Sequence, residues 1–455
     1  MYRIKQFILF LGDISSLYVG LFLALSLRYL KWPEKEIGLL LEPMSLLFIL
    51  AAIFFFIVGL YDLGKAKNSW KFFQKIIISA LLWIAFGTIY FYLNSDIGAA
   101  PKTNLLLIAV FGFTFVSLWR YLQNKILTTT WKIKVVFAGI NKEAVELINL
   151  LRAEPQRGYE IIGIISENAS DGTDTVPVGK NLKELFEKTK QKSPNMIVVS
   201  PEFAINDEIL NEFYGQIFRH STVVDLADFY EEIFGRLPSF IFSESWFLTK
   251  LREQDKKIYD RMHNLIDYAS GLLMGIFFAI TFPFVALAIK SNSRGSIFFK
   301  QERTGKSGKK FTIYKYRTMK SMSPDGSAEI SGPQFASTGD ARITFVGKFL
   351  RKTRLDEIPQ FINILKKEMS LVGPRPERPE FVKQLTEKMP FYALRHLVKP
   401  GITGWAQLHE SYYGTIEENL RKLEYDLFYI KNRGPVLDMA IILKTINVIL
   451  RFAGR

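Results

Sequence analysis

A chain of 455 residues is long enough for two or three domains, and 39 phenylalanines with a positive mean hydropathy exceed what a soluble protein usually carries. The formal net charge of +15 points to an acidic partner, whether nucleic acid, anionic lipid or a phosphorylated substrate. The lack of cysteine excludes disulfides and thiolate-bound zinc and fits polar parts facing the cytosol, while four scattered histidines (His220, His263, His396, His409) argue against a multi-histidine metal centre.

The N-terminal third reads as membrane. Apolar runs at about 6–27, 44–60, 76–93 and 105–122 are each near the roughly 20 residues that cross a bilayer core. The first is too long for a signal peptide, and no small-residue cleavage site follows it. Arg3 and Lys5 precede it, Lys65, Lys67, Lys71 and Lys75 separate the second run from the third, and Arg120, Lys125, Lys132 and Lys134 lie at or beyond the end of the fourth. Both ends of this region are therefore expected on the cytoplasmic side, although Arg28, Lys31 and Lys35 in the first connection run against the rule. Asp13 lies within the first span; a role in helix packing or at the interface is favoured over a functional intramembrane acid.

From about 131 the pattern becomes that of a soluble α/β domain. "KIKVVFAGI", "YEIIGIIS" and "NMIVVS" read as buried strands and "NKEAVELINLLRA" as an amphipathic helix, an order that predicts a parallel sheet. The turn from Gly139 to Ala144 resembles a dinucleotide loop but lacks its second and third glycines, which favours a regulatory or structural Rossmann-like domain.

A fifth apolar run, 265–289, is long enough to span, yet both its flanks are strongly basic. Lys250, Arg252, Lys256, Lys257 and Arg261 precede it, and Lys290, Arg294 and Lys300 follow. A full crossing would put one of those clusters outside, and Pro283 removes a backbone hydrogen bond within the run. A re-entrant hairpin on the cytoplasmic face satisfies both observations. "GLLMG" (271–275) has the small-xxx-small spacing of close helix packing.

Beyond 289 the residue types are those that bind phosphate. Lys315 and Arg317 lie two apart on a strand-like segment, and such residues point the same way. The polar stretch 321–340 reads as a mobile loop. In "RKTRLDEIPQFINILKK" a helix is expected to begin near Asp356, because Pro359 is tolerated only in a first turn. That would seat Asp356 and Glu357 at a positive helix end, below Arg351, Lys352 and Arg354. Asp356 could be no more than a cap, but capping needs neither a second acid nor those arginines. Adjacent acids ringed by guanidinium groups suit phosphoryl chemistry, one attacking phosphorus and the other holding a divalent metal. "GPRPERPEF" then presents Arg375 and Arg378 on a proline-stiffened loop that lowers the entropy of aiming them.

Three motifs, "FFKQERTGKSGKKFTIYKYRTM", "LRKTRLDEIPQFINILKKEMSLVGPRPE" and "KPGITGWAQL", resemble in order those of the bacterial sugar transferase family, the monotopic phosphoglycosyl transferases, over roughly 255–450. The fold expected is α/β with membrane helices: a four-helix transmembrane region (1–130), a Rossmann-like domain (131–250) and an α/β monotopic catalytic domain (251–455) whose segment 265–289 is re-entrant at Pro283. The resemblance implies transfer of a sugar 1-phosphate from a UDP-sugar to undecaprenyl phosphate with release of UMP, at the cytoplasmic face of a bacterial inner membrane. It implies Asp356 as the nucleophile of a covalent phosphosugar intermediate and Glu357 as its dyad partner, the two holding Mg²⁺. Arg351, Arg375, Lys315 and Arg317 match family positions near the phosphate, with Arg378 beside them. The partners implied are the two substrates and membrane lipids; a homo-oligomer stays open, and no nucleic-acid motif accompanies the charge. Three departures stand out: Arg354 where many members have serine, Phe282 before Pro283 where some have serine, and "HESYYGT" where one branch has an Asn-Gly-Arg-Asn run. His409, Tyr412 and Tyr413 fill that last place, either selecting the sugar or packing. The C-terminal tail, apolar and basic at helical spacing, is expected at the membrane interface. Two other classes compete. A nucleotide-sugar dehydratase or epimerase is opposed by the degraded glycine loop and the missing Tyr-x-x-x-Lys pair. A non-enzymatic scaffold would leave the acid pair idle.

Overall fold

The computed structural model describes all residues except 1, 31, 95–100, 130–131, 167–175, 190–193, 202, 204–212, 214–220, 252–255, 321–341, 410–414 and 452–455. The polar stretch 321–340 and Tyr412 and Tyr413 thus lie outside the described residues. The chain forms two compact units, Met1–Ile233 and Phe234–Arg455.

The first unit opens with four long helices, α1 (Tyr2–Tyr29), α2 (Glu34–Ile57), α3 (Trp70–Leu93) and α4 (Pro101–Thr129). They share an aromatic-rich core in which Phe48 stacks on Trp83 and Phe113 packs against the same indole at a tilt. Asp13 of α1 and Arg120 of α4 are both fully buried and meet in a bidentate pair, Nε to Oδ1 at 2.9 Å and Nη2 to Oδ2 at 2.5 Å. The remaining arm of Arg120 donates to Leu60 O at 3.1 Å, beyond the end of α2. Asp13 is therefore a packing group. Arg28, which ran against the charge rule, donates to Asn104 Oδ1 at 2.7 Å.

A five-stranded parallel sheet follows: β1 (Ile133–Ala138), β2 (Tyr159–Ile165), β3 (Val178–Gly179), β4 (Met196–Val199) and β5 (Thr222–Asp225), in the order β3-β2-β1-β4-β5. All its pairings are parallel, with Val135 opposite both Ile161 and Met196. The near-continuous apolar runs of β1 and β4 follow from burial on both faces. Helix α5 (Lys142–Ala153) packs through Ala144, Leu147, Ile148 and Leu151, the one-face spacing of an amphipathic helix. Its N-terminus is already served: Asn141 Oδ1 accepts from Ala144 N at 2.8 Å, one of the amides a phosphate would need. Helices α6 (Leu182–Thr189) and α7 (Leu226–Phe234) complete the layers.

The second unit begins earlier than the sequence suggested. Leu237, and Phe247 on the short helix α8 (Glu244–Lys250), belong to the same core as Val372, Tyr392, Leu423 and Leu427. Helix α9 (Lys257–Asn292) is continuous for 36 residues with Pro283 inside it, so the proline does not end the helix. Thr281 turns its hydroxyl back onto Phe277 O at 2.8 Å just before it. Most of the apolar surface of α9 is exposed, including Leu265, Leu273, Ile280, Phe284 and Leu287. Among the described residues five helices, α1 to α4 and α9, are long and apolar enough to cross a membrane.

Two small sheets follow, an antiparallel hairpin of β6 (Phe298–Thr304) with β7 (Lys310–Tyr316) and a parallel pair of β8 (Ser370–Val372) with β9 (Gly401–Thr403). Between and after them run α10 (Phe345–Lys352), α11 (Phe361–Leu365), α12 (Pro379–Lys388), α13 (Trp405–His409), α14 (Ile416–Asn432) and α15 (Pro435–Leu450). The tail differs from expectation in its first half. Helix α14 buries Leu423, Tyr425, Leu427, Tyr429 and Ile430 and is a core element, whereas α15 exposes Val436, Met439, Ile449 and Leu450.

Replacing Asp13 with alanine would strand the Arg120 guanidinium in an apolar interior. Loss of one partner of a buried pair costs about 3–5 kcal/mol. The variant should therefore unfold at clearly lower temperature in detergent, whereas an unchanged midpoint would show that the pair contributes nothing.

Candidate active site

The acid pair sits where several pieces of chain converge. Helix α10 starts at a Thr344 cap, whose hydroxyl accepts from Gly347 N at 2.9 Å, and ends in Arg351 and Lys352. Arg354 then takes a left-handed conformation (φ 60°), a state worth roughly 1–2 kcal/mol of strain in a non-glycine residue. That turn sends the chain into a 3-10 helix, Leu355–Gln360, which carries Asp356, Glu357 and Pro359 and leads directly into α11. Pro359 thus lies inside a 3-10 segment, and the α-helix after it is only five residues long. The expected dipole of a long helix is absent, because the aligned peptide units that build one are too few.

Packing fixes the segment from below and from the side. Gly271 and Gly275 of α9 face α11: a Cβ on Gly271 would stand 3.1 Å from Leu365, and one on Gly275 would stand 3.2 Å from Phe361. The small-xxx-small spacing is therefore the seat of the segment that follows the acid pair. Phe278 of α9 packs on Phe361 (5.1 Å between centroids) and stacks on Tyr316 of β7. Asn363, fully buried, stitches α11 to β7 by donating to Thr312 O at 2.7 Å and accepting from Tyr314 N at 3.3 Å.

Cations from three directions then meet Glu357. Lys315 Nζ of β7 lies 2.7 Å from Oε1, Arg375 Nη1 lies 3.3 Å from the same oxygen, and Arg354 Nη1 lies 3.1 Å from Oε2. Burial opposes the ionisation of Glu357, but Lys315, Arg375 and Arg354 together hold its carboxyl well below the usual range. Burial also depresses the Lys315 ammonium, and the Glu357 charge only partly offsets this. Asp356 has no comparable set of partners. It is buried, and its Oδ1 has no hydrogen-bond partner. Burial first, and the neighbouring Glu357 charge second, push the Asp356 carboxyl up to about 6 against the pull of Lys315, Arg351 and Arg354. The environment thus splits two adjacent carboxyls: the cations favour the anion at Glu357, and burial beside that anion favours the protonated form at Asp356.

The other sequence candidates divide. Arg351 stays near Asp356 through space, with its Nε on Thr318 Oγ1 at 2.9 Å. Arg317 is not brought to the pair. It falls one residue beyond β7 and gives its guanidinium to the carbonyls of Ser293 (2.8 Å) and Arg294, at the end of α9. Arg378 pairs with Glu380 at 3.4 Å. Arg354, one of the guanidinium groups that the sequence sets beside the acids, pairs with Glu357 itself, and the i,i+3 spacing is the signal of that pairing. His409 lies against Trp405 (4.2 Å) and stacks on Tyr425 (4.9 Å, 16°).

Among the described residues no group of three His, Cys, Asp or Glu side chains stands ready for a metal. Mg²⁺ needs less, because one or two carboxylates commonly hold it while water and substrate phosphates complete the shell. The bare Oδ1 of Asp356, with Glu357 adjacent, fits as the protein's share of such a shell, and the cations on Glu357 compete for it.

Comparison with known proteins gives a consistent picture. The pattern described as bacterial sugar transferase matches residues 258–452, and one described as a CoA-binding domain matches 57–222. A UDP-N-acetylgalactosamine-undecaprenyl-phosphate N-acetylgalactosaminephosphotransferase of Aeromonas hydrophila is 48% identical over 169 residues, 37% of this chain and 39% of that protein. The chain therefore matches well under two thirds of that relative's length. A UDP-glucose:undecaprenyl-phosphate glucose-1-phosphate transferase of Klebsiella pneumoniae is 31% identical over 69% of this chain and 67% of its own. An uncharacterized sugar transferase of Bacillus subtilis is 34% identical over 42% of this chain and 89% of its own.

Glu357→Gln removes the negative neighbour of Asp356 and releases Lys315 and Arg354 from the carboxylate that engages them, while their charges and that of Arg351 remain. The sign is therefore downward: Asp356 should lose its proton at lower pH in the variant. Carboxyl infrared or NMR titration reads this directly, and an unmoved or raised midpoint would contradict the split described above.

Proposed function

The chain belongs to the bacterial sugar transferase family, and from that membership and the geometry at Asp356 we propose that it transfers a sugar 1-phosphate from a UDP-sugar to undecaprenyl phosphate, releasing UMP. The observation that carries the proposal is the pairing of a bare, titratable carboxyl with a neighbour already neutralised by three cations.

The chemistry follows from that asymmetry. Asp356, once ionised, attacks the sugar-bearing phosphorus of the UDP-sugar. An Oδ–P bond forms, the P–O bond to UMP breaks, and UMP leaves with the electron pair. A phosphate oxygen of undecaprenyl phosphate then attacks the same phosphorus and expels the Asp356 carboxylate, giving the lipid-linked sugar diphosphate. An anion attacking an anionic diphosphate needs a positive surround, which Lys315, Arg354, Arg375 and Arg351 supply. Glu357 keeps Lys315, Arg354 and Arg375 in place and leaves Asp356 free to react. Mg²⁺, held by the acid pair, would neutralise phosphate oxygens as a Lewis acid.

Membrane placement belongs to the same proposal. On this reading helix α9 would enter and leave the cytoplasmic face of a bacterial inner membrane, which requires a helix that is continuous through Pro283 to bend there. The exposed apolar surface of α9 between basic flanks at Lys256, Lys257 and Arg261 and at Lys290 and Arg294 supports this. The pair then lies where a soluble donor and a membrane-bound acceptor can meet. The initiated product would be a surface polysaccharide.

UMP release from a panel of UDP-sugars in the presence of undecaprenyl phosphate tests the function. Asp356→Asn should abolish release and the covalent phosphosugar mass adduct, and a fully active variant would remove Asp356 from the nucleophile's role. Loss of one charge stabiliser of this kind costs about 10²–10³ in rate, so Lys315→Met should fall in that range.

A further inference from the structure

The loop that carries Arg375 has neither helix nor strand to hold it. Of its residues Pro374, Arg375, Pro376 and Glu377, the two prolines have no N–H to donate. All four carbonyls are engaged instead. Pro374 O accepts from Gly401 N at 2.9 Å, and Glu377 O accepts from Thr304 N at 2.9 Å. Between them Arg375 O accepts from Arg395 Nη2 at 2.9 Å, and Pro376 O accepts from Arg303 Nη1 at 3.1 Å. The outer two donors are main-chain amides that almost any sequence would supply. The inner two are guanidinium groups, so their identity matters.

Arg395 is the better anchored of the two. It is 2% exposed; its Nε and Nη2 reach Asp426 Oδ2 at 3.1 and 2.8 Å, and its Nη1 donates to Tyr392 OH at 2.8 Å. Asp426 lies on α14, one turn beyond Lys422, and Lys422 pairs with Glu377 of the same loop. Arg303 stands 3.7 Å from the other oxygen of Glu377. Five charges are thus gathered behind one short loop. A buried set of this kind carries a desolvation cost that an apolar core would avoid, so stability alone is a poor reason for it. What it delivers is position. Arg375 Nη1 lies 3.3 Å from Glu357 Oε1, near the outer limit of a hydrogen bond, and a small backbone shift would open that contact.

We propose that Arg395, anchored by Asp426, is a positioning residue for the transfer reaction: by holding the Arg375 carbonyl it aims the Arg375 guanidinium at Glu357 and at the phosphate beside it. The inference rests on the function proposed above only for what Arg375 is aimed at. It assigns Arg395 no contact with substrate.

Two measurements on the full-length protein in lipid nanodiscs test it. The first is structural and needs no transfer activity. Arg395→Lys keeps a cation beside Asp426 but lacks the second arm for Arg375 O. In its structure the Arg375–Glu357 contact should open beyond about 3.5 Å, and a contact unchanged from the parent would overturn the proposal. The second is a kinetic cycle of Arg375→Ala, Arg395→Lys and the double variant, read as UMP release. A displacement of about 1 Å can cost on the order of 10²-fold in rate. Arg395→Lys should therefore lose about 10- to 100-fold in kcat with KM for undecaprenyl phosphate unchanged, and the double variant should be no slower than Arg375→Ala alone. Losses that multiply would show that Arg395 acts by some other route. Tyr392→Phe removes a single hydroxyl from Arg395 Nη1 and repeats the cycle should the lysine variant fail to fold. It should slow release a few-fold, with no further loss when Arg375 is already alanine; multiplying losses there would equally overturn the proposal.

Discussion

The Glu357 carboxylate is taken almost wholly out of water, a move that removes several kcal/mol of hydration from an ion of its size. Three cations restore that loss, and they arrive from a β-hairpin, a left-handed turn and a proline-bounded loop. Each of those elements needs its own support. The hairpin is tied to α11 by Asn363, and the proline-bounded loop is tied by its carbonyls. Because all three converge on one anion, Glu357 reports whether the surrounding pieces are in register. The free state of Asp356 depends on the same convergence, since cations engaged by Glu357 lower the Asp356 carboxyl less than a direct pairing would.

The two carboxyls also show how neighbours in sequence become unlike in chemistry. Both are buried and both belong to one 3-10 segment. Hydrogen-bond donors reach only one of them. Glu357 has an extra methylene and an orientation that meets the cations, whereas Asp356 Oδ1 meets none. The difference in proton affinity is therefore made by geometry around the pair. The membrane helix takes part, because Gly271, Gly275 and Phe278 of α9 determine how closely the segment after the pair can sit against it.

Much of this was legible in the residues. Apolar run length showed the four N-terminal helices, and alternating strands and helices showed the parallel sheet. The motifs pointed to the acid pair together with Lys315 and Arg375, which the fold brings to Glu357. Arg317 does not share the face of Lys315, because strand alternation applies only while the strand lasts, and β7 ends at Tyr316. The left-handed turn at Arg354 cannot be read from periodicity, although the spacing of that residue to Glu357 is visible in the sequence. The long helix expected from Asp356 onward became a 3-10 turn with a single α turn behind it, since Pro359 and the packing against α9 favour the tighter winding. Helix α14 belongs to a tail that is apolar and basic at helical spacing, as an interfacial helix is, but that pattern does not reveal its buried charges. Lys422, Glu424 and Asp426 are in fact buried among partners far away in sequence.

The pair between Asp13 and Arg120 has a consequence for biosynthesis. Its members are 107 residues apart, so the ribosome makes the acid long before its base. An acidic residue at the middle of a lone membrane helix is disfavoured by about 2.5–3.5 kcal/mol on insertion scales. Until α4 is made, α1 must shelter its carboxyl at the translocon, near the bilayer surface or as a neutral acid. The same holds for the Arg120 guanidinium, which cannot shed its charge and gains its partner only by docking on α1. The order of synthesis thus makes the fourth helix the one that closes the bundle, and the middle of α1 waits for it.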